Sequence, residues 1–401
     1  MSPSILRMNI KKIQLKKGKE ELLYRKHPWV FSGACYKIDP KISDGELVEV
    51  STFNNKFLGI GHYQGGGSIA VRIISFEPIE SLQEFWYRKI DEAQRYRKSL
   101  DIPSDATNAY RLIHGEGDGL PGLIIDIYES ICVIQCHSIG MHLSVSYIKT
   151  SILKYLPNIN TIYVRCKDTL PEIYGNGVTD EFILGNKEET IVVENGIQFY
   201  INVVEGQKTG FFLDQRDNRQ LLGKFANGKS ILNCFCYTGG FSLYGLANGA
   251  AQVDSVDISA KAIEGVEKNV SLSTFKGTHQ SHVANVMHFL ASYEVEKYDI
   301  VIVDPPAFAK SLHKRHNAVQ AYKRLNALAL KKVKSGGMLM TFSCSQVVGT
   351  QLFQDTIVAA GLESGKKVRI IHHLSQGADH PISLYHPEGH YLKGLCLYVE
   401  D

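Results

Sequence analysis

The sequence predicts an α/β protein. Its main body is a doubly wound, mostly parallel seven-stranded sheet that ends in an antiparallel hairpin, and a β-barrel and a small α+β unit precede it. Three observations carry this reading. From about residue 190, apolar strand-like segments alternate with segments of helical spacing, as in a sheet covered on both faces. The last two strand candidates, VRIIHHL and GLCLYV, have no helix-length segment between them and so read as an antiparallel pair. Residues 1–78 instead carry short alternating segments broken by Gly, Asn and Asp, the pattern of a compact barrel.

In chain order, GELVEV, KFLGIGHY and IAVRIISF supply barrel strands in 1–78. A helix follows from Ser81 to Leu100, where Leu82, Phe85, Trp86, Ile90 and Ala93 fall on one helical face. Strands over Asn108–Ile113 and Leu123–Cys136, a helix over Met141–Tyr155 and a strand at Thr161–Val164 complete an α+β unit over 79–188. Between them GEGDGLPGL is a turn-rich connection that backbone geometry alone explains. The third unit, 189–401, has strands SILNCF, VDSVDI, HVANVMHFL, YDIVIVDPP, GGMLMTFS, VRIIHHL and GLCLYV. Its helices are expected near 214–226, 240–249, 260–272, 317–333 and 350–361.

Composition narrows the class. With 44% hydrophobic and 21% charged residues in 401, the chain is a soluble globular protein of more than one domain. No apolar run reaches the about 18–20 residues that span a bilayer, and MSPSILRMNIKK lacks a signal-peptide core, so a cytoplasmic location is expected. The eight cysteines form no CxxC, which argues against a zinc ribbon or a thioredoxin-like motif. The net charge of +3 hides two clusters. Eight basic residues from Arg7 to Lys26 face two acidic ones, and Pro305–Gln354 contains Lys310, Lys314, Arg315, Lys323, Arg324, Lys331, Lys332 and Lys334 but no acid. Such runs are the footprint of a polyanion binder.

Two ends of the predicted sheet carry chemistry. In NCFCYTGGFSLYGLANGA, Gly239 and Gly240 sit where a strand turns into a helix, which lets a ligand approach the backbone. The run is not GxGxxG, so a dinucleotide site is not indicated. The next strand ends in Asp257, placed to chelate ribose hydroxyls, and Asn285 offers an oxygen to an adenine amine or forms an ordinary Asx turn. At the other end Asp304-Pro305-Pro306 stops a buried strand abruptly, and the following strand closes in Ser343-Cys344-Ser345. Alone, Cys344 reads as an inert small hydrophobe or as a nucleophile. Near the C-terminus, His380, His386, Glu388 and His390 lie in a Pro- and Gly-containing loop whose spacing matches no helix-borne ligand motif, so no metal is expected.

Seven segments carry a resemblance over nearly the whole chain: RKHPWVFSGA, RLIHGEGDGLPGLIID, VEGQKTGFFLDQRDNR, NCFCYTGGFSLYGLANGA, VDPPAFAKS, FSCSQ and DHPISLYHPEGHYLKG. Together they resemble the large-subunit rRNA 5-methylcytosine methyltransferase I family, within the class I S-adenosylmethionine-dependent methyltransferases. The resemblance implies an N-terminal PUA domain, a central α+β domain and a Rossmann-like methyltransferase domain. It implies S-adenosylmethionine as cofactor, with Phe212, Gln215 and Arg216 at the mouth of its pocket. The cofactor end then takes in Asn233, Tyr237, Thr238, Gly239, Asp257, Ile258, Asn285 and Asp304. Family members often carry Asp where this chain has Asn285.

It also implies a large-subunit rRNA target that is locally single-stranded, and a homodimer is a family-level expectation. The chemistry asks for Cys344 to add to C6 of cytosine and for Asp304 to engage N3 and the exocyclic amine. The lysine-rich stretch around Cys344 is expected to favour its thiolate. Some RNA cytosine-C5 enzymes carry a second cysteine after the prolines; here that position is Ala307, so the base that removes the C5 proton is unassigned. DPP also resembles the motif of methyltransferases that act on exocyclic amines of nucleobases, although Phe308 lies one residue beyond the usual aromatic position.

Overall fold

The computed structural model describes residues 10–292 and 295–400. Arg7, part of the N-terminal basic run, lies outside the described residues. The chain forms two compact units: one runs to Val192 and adds Ile201–Leu213 and Ala378–Gly389, and the other holds Val193–Tyr200, Asp214–Gly377 and the chain from His390.

The first unit contains a six-stranded and a five-stranded sheet. The six-stranded sheet includes Leu47–Ser51, Phe57–Tyr63 and Ile69–Ser75, close to the predicted strands, around a core of Ile13, Leu15, Val48, Val50 and Val71. The helix Leu82–Ser99 buries Phe85, Trp86, Ile90 and Ala93 as its spacing predicts, and Ser81 caps it by accepting the Glu84 N–H. It also buries Arg97, whose guanidinium donates to both oxygens of Asp118. The single strand expected over Leu123–Cys136 is two, Leu123–Tyr128 and Ile131–Cys136, because Glu129 turns the chain with a left-handed φ of 59°. Likewise the helix expected over Met141–Tyr155 is Ile139–Leu143 followed by Val145–Tyr155.

In the second unit the strands are β1 (Ser230–Cys234), β2 (Gln252–Asp257), β3 (Thr278–Val283), β4 (Tyr298–Val303), β5 (Val333–Ser343), β6 (Val368–Leu374) and β7 (Lys393–Val399). Between and before them run α1 (Arg216–Phe225), α2 (Gly240–Ala247), α3 (Ala260–Val270), α4 (Val286–Ser292), α5 (Arg315–Leu330) and α6 (Thr350–Ser364). The sheet order is β3-β2-β1-β4-β5-β7-β6, with β1 to β5 parallel and β7 antiparallel to both neighbours. Successive residues of the central strands alternate between two cores: Leu232, Val301, Val303 and Leu339 on one face, Ile231, Ile300, Ile302 and Met340 on the other. Strands buried on both faces read as continuous apolar runs, which is why these were legible.

One strand was misplaced. HVANVMHFL contains only the last two residues of β3; the strand itself is Thr278–Val283, and Val286–Ser292 is helical. The Asn285 side-chain oxygen accepts the N–H groups of Met287 (2.9 Å) and His288 (3.3 Å), a cap that starts α4 and turns Val286, Phe289 and Leu290 inward.

The helix α1 is anchored by a buried charge. Glu194, fully buried, accepts from Arg219 Nε and Nη2, each at 2.8 Å, and Arg216 Nε lies 3.5 Å from the same carboxylate. Removing one side of a buried ion pair leaves the other uncompensated, at a cost of about 3–5 kcal/mol. Glu194→Ala is therefore expected to lower the unfolding free energy by about that amount, read from the urea midpoint at unchanged m-value.

Candidate active site at the carboxyl edge of the sheet

Because β1 to β5 are parallel, the loops that follow them all leave from one edge, where ligands bind in open α/β sheets. After β1 the chain makes left-handed bends at Phe235 (φ 59°), Tyr237 (φ 47°) and Gly239 (φ 84°) before α2 begins. Asp257, the last residue of β2, holds this loop: one carboxylate oxygen accepts the Tyr237 N–H at 3.0 Å and the other the Ser259 N–H at 2.9 Å. Each oxygen keeps a further lone pair for a ligand hydroxyl. Beside it Ile258 is 69% exposed, an apolar surface at the strand end. The Thr238 hydroxyl is buried with no hydrogen-bond partner among the described residues. An orphaned hydroxyl, a carboxylate and an exposed apolar side chain around a left-handed turn fit an adenosine-bearing cofactor.

Other expected cofactor residues sit differently. Asn233 is 1% exposed and donates to Ser242 at 2.8 Å, within a polar chain that continues through Ser255 to His279. It ties β1 to α2 and, through Ser255 and His279, to β2 and β3. Asn285 spends its side-chain oxygen on the α4 cap, so the contact expected from that oxygen to an adenine amine competes with two backbone donors. Arg216 is buried, with its Nε 3.5 Å from the Glu194 carboxylate. Phe212, half-buried, belongs to the first unit.

At the reaction end, β4 delivers Asp304 and β5 delivers Cys344 one residue after its last paired position. Val303 pairs with Thr341, and adjacent strands lie about 4.8 Å apart. Gln215 donates to Asp304 at 2.9 Å and accepts from Asn218 at 2.6 Å, so it serves to orient the carboxyl group. Burial and the nearby Asp214 carboxylate push Asp304 up to about 7, against the opposing pull of Gln215 and Arg219. Near neutral pH it is therefore present in both forms, and the protonated form is a hydrogen-bond donor.

The serines that flank Cys344 build its turn. Ser343 Oγ accepts the Ser345 N–H at 3.3 Å, and Ser345 Oγ lies 3.1 Å from the Tyr322 hydroxyl of α5. Both serines are fully buried, while Cys344 is half-exposed; the other seven cysteines are buried. Phe308 packs on the Tyr322 ring with centroids 4.6 Å apart. The cation that the structure places against this turn comes from outside the lysine-rich stretch: Lys393, at the start of β7, donates to the Ser345 carbonyl at 2.9 Å. No local pattern marks Lys393, and only the antiparallel pairing of β7 with β5 brings it there.

Of the basic stretch, Lys332 is buried, Lys323 pairs with Glu363 and Lys334 pairs with Asp299. Lys310, Lys314, Arg315, Arg324 and Lys331 are exposed. In the N-terminal run Lys11 and Lys12 pair with Glu46 and Glu49, and Arg25 with Glu21. No helix among the described residues is long and apolar enough to cross a membrane.

The His-rich loop separates. His380 contacts Asp379 and the His114 ring, whereas His386 and Glu388 approach His27, with ligand atoms within 4.8 Å of one another. His27 Nδ1 accepts the Trp29 N–H at 3.2 Å, and its Nε2 lies 3.8 Å from Glu388.

The Gln215 contact is testable. Gln215→Leu removes a donor that favours the carboxylate, so Asp304 should titrate above about 7, as read by carboxyl-carbon NMR.

Residues 168–372 match the S-adenosylmethionine-dependent methyltransferase family, and residues 13–76 match the PUA-like domain. The chain is similar to proteins named ribosomal RNA large subunit methyltransferase I. That of Shewanella amazonensis is 38% identical, covering 97% of this chain and 99% of the relative. That of Aeromonas hydrophila is 37% identical, covering 96% and 98%. Among solved structures, a SAM-dependent methyltransferase from Streptococcus mutans superposes with a TM-score of 0.82 at 22% identity, over 97% of this chain and 100% of that one. A methyltransferase solved with SAH gives 0.83 at 21% identity over the same shares. At such identities the two structures speak for the fold alone, and the full-length relatives speak for the family. The chain belongs to the S-adenosylmethionine-dependent methyltransferases named ribosomal RNA large subunit methyltransferase I.

Proposed function

We propose that the protein methylates carbon 5 of a cytosine in large-subunit ribosomal RNA, with Cys344 as covalent nucleophile. One observation carries this reading: the one half-exposed cysteine of the chain stands at the carboxyl edge, one strand from a carboxyl group that titrates near 7. S-adenosylmethionine supplies an electrophilic methyl group. Asp257, Ile258, Thr238 and the Tyr237–Gly239 turn are the residues that would hold it, and Asn233 ties β1 to the helix that follows that turn.

Carbon 5 of cytosine is a weak nucleophile. The Cys344 thiolate forms a bond to C6 while Asp304, protonated, donates to N3, and the electron pair of the C5–C6 double bond becomes available at C5. After C5 gains its methyl group, water takes the C5 proton and the pair of that C–H bond re-forms the C5–C6 double bond. The S–C6 bond breaks with its pair going to sulfur, and the N3 proton returns to Asp304. The reacting base must leave any duplex, so the target is a loop or a locally opened segment. In this reading 1–78 is a PUA-like RNA-binding domain, 79–188 a central α+β domain and 189–401 the methyltransferase domain. Lys310, Lys314 and Arg315, exposed just beyond Asp304, meet the RNA backbone.

Cys344→Ala is expected to abolish product, seen as loss of one 5-methylcytidine when large-subunit rRNA from complemented cells is analysed by nucleoside mass spectrometry. Normal turnover by this variant would sink the covalent reading in favour of methylation of an exocyclic amine. Phe308 speaks against that alternative, since its ring is packed on Tyr322 instead of standing free to stack on a base.

For RNA binding, Lys314→Gln with Arg315→Gln should weaken affinity for target and non-target strands alike. The slope of log K against log salt should fall by about 0.7 for each lost contact to a single strand, as measured by filter binding across salt concentrations.

A further inference from the structure

Lys393 is a buried charge that the scheme above leaves unused. It is 3% exposed and lies opposite Ser343 in the antiparallel pairing of β5 with β7. Its Nζ donates to the carbonyl of Ser345, the residue after Cys344. Strand pairing thus sets its backbone and the hydrogen bond sets its head group, both within one residue of the thiol. A lysine is rarely so buried without a carboxylate, and the described partner here is a neutral carbonyl. Burial pulls its ammonium down to about 8, while the charge on Cys344 pushes the other way.

The other titratable groups around this turn stay neutral or sit on another strand. Tyr322, from α5, is raised by burial and keeps its proton. His390, just before β7, is lowered by burial and by Lys393 itself. Asp304 is the carboxyl group of the neighbouring strand β4. Lys393 is therefore the cation held against the Cys344 turn.

We infer that Lys393 is the positioning partner of Cys344, its ammonium holding the thiolate as an ion pair until sulfur bonds to the substrate. The S–H bond breaks, its proton passes to water, and the electron pair stays on sulfur beside the ammonium. When the S–C6 bond later breaks, that pair returns to sulfur beside an ammonium still in place, so the nucleophile is regenerated without a further proton donor. The C5 proton leaves to water. This inference rests on Cys344 being the nucleophile.

The test follows iodoacetamide alkylation of Cys344 in the full-length protein from mildly acidic to alkaline pH, with the modified peptide quantified by mass spectrometry. The wild type should alkylate with a midpoint below the ordinary thiol value of about 8.5. Lys393→Met should raise that midpoint and slow alkylation at neutral pH about tenfold, the change that a one-unit rise makes in thiolate fraction. Lys393→Arg, a permanent cation, should keep the midpoint low, and methylation by Lys393→Met should recover as pH rises. Calorimetric binding of S-adenosylhomocysteine checks that each variant is folded, and Lys393→Gln stands in if the methionine variant is not. Coincident alkylation profiles for wild type and a folded Lys393→Met or Lys393→Gln would overturn the pairing while leaving Cys344 as nucleophile. Methylation surviving in Cys344→Ala would instead remove the nucleophile and leave the alkylation result to stand by itself.

Discussion

The site depends on the parallel register of β3, β2, β1, β4 and β5. The central strands are buried on both faces, so a one-residue slip would exchange the two cores and misfit both. With the register held, Cys234 aligns with Val256 and with Val303, and Val303 with Thr341. Every loop after these strands then opens on the same edge. The antiparallel β7 completes the arrangement, since its first residue lies where β5 ends. A chain that leaves the edge with Cys344 thus meets one that arrives at it with Lys393.

Two acids, Glu194 and Asp304, show how the surroundings decide what a carboxyl group does. Glu194 is met by the guanidinium groups of Arg219 and Arg216, and the trio serves to anchor α1. Asp304 is met by the Gln215 amide and lies near a second carboxylate, so desolvation is not offset by a paired cation and the proton is retained to about 7. The first arrangement is structural. The second makes an acid that can both donate and accept near neutral pH.

Much of this architecture is legible in the residues. Apolar runs long enough for strands, alternating with helical spacings, mark a doubly wound sheet, and the missing helix before GLCLYV marks the antiparallel pair. The third strand was not legible, because THQSHV is polar and partly exposed and offers no apolar period. The neighbouring ANVMHFL drew the strand assignment through its apolar content, although Asn285 followed by Val286, Phe289 and Leu290 is a capped helix. Glu129 hid a hairpin in the same way, since nothing about a glutamate announces a left-handed φ.

By itself the sequence determined the strand that ends in Asp257, the strands that lead into Asp304 and Cys344, and the glycine turn after β1. These are local matters of apolar period, chain reversal and residue chemistry. Only the tertiary structure decided which way the side chains are spent. Asn285 caps a helix, Asn233 ties β1 to α2, Arg216 lies beside Glu194, and Ser343 and Ser345 shape the turn beneath the thiol. It alone brought Lys393 to Cys344, because 49 residues separate them along the chain and only strand pairing closes that distance.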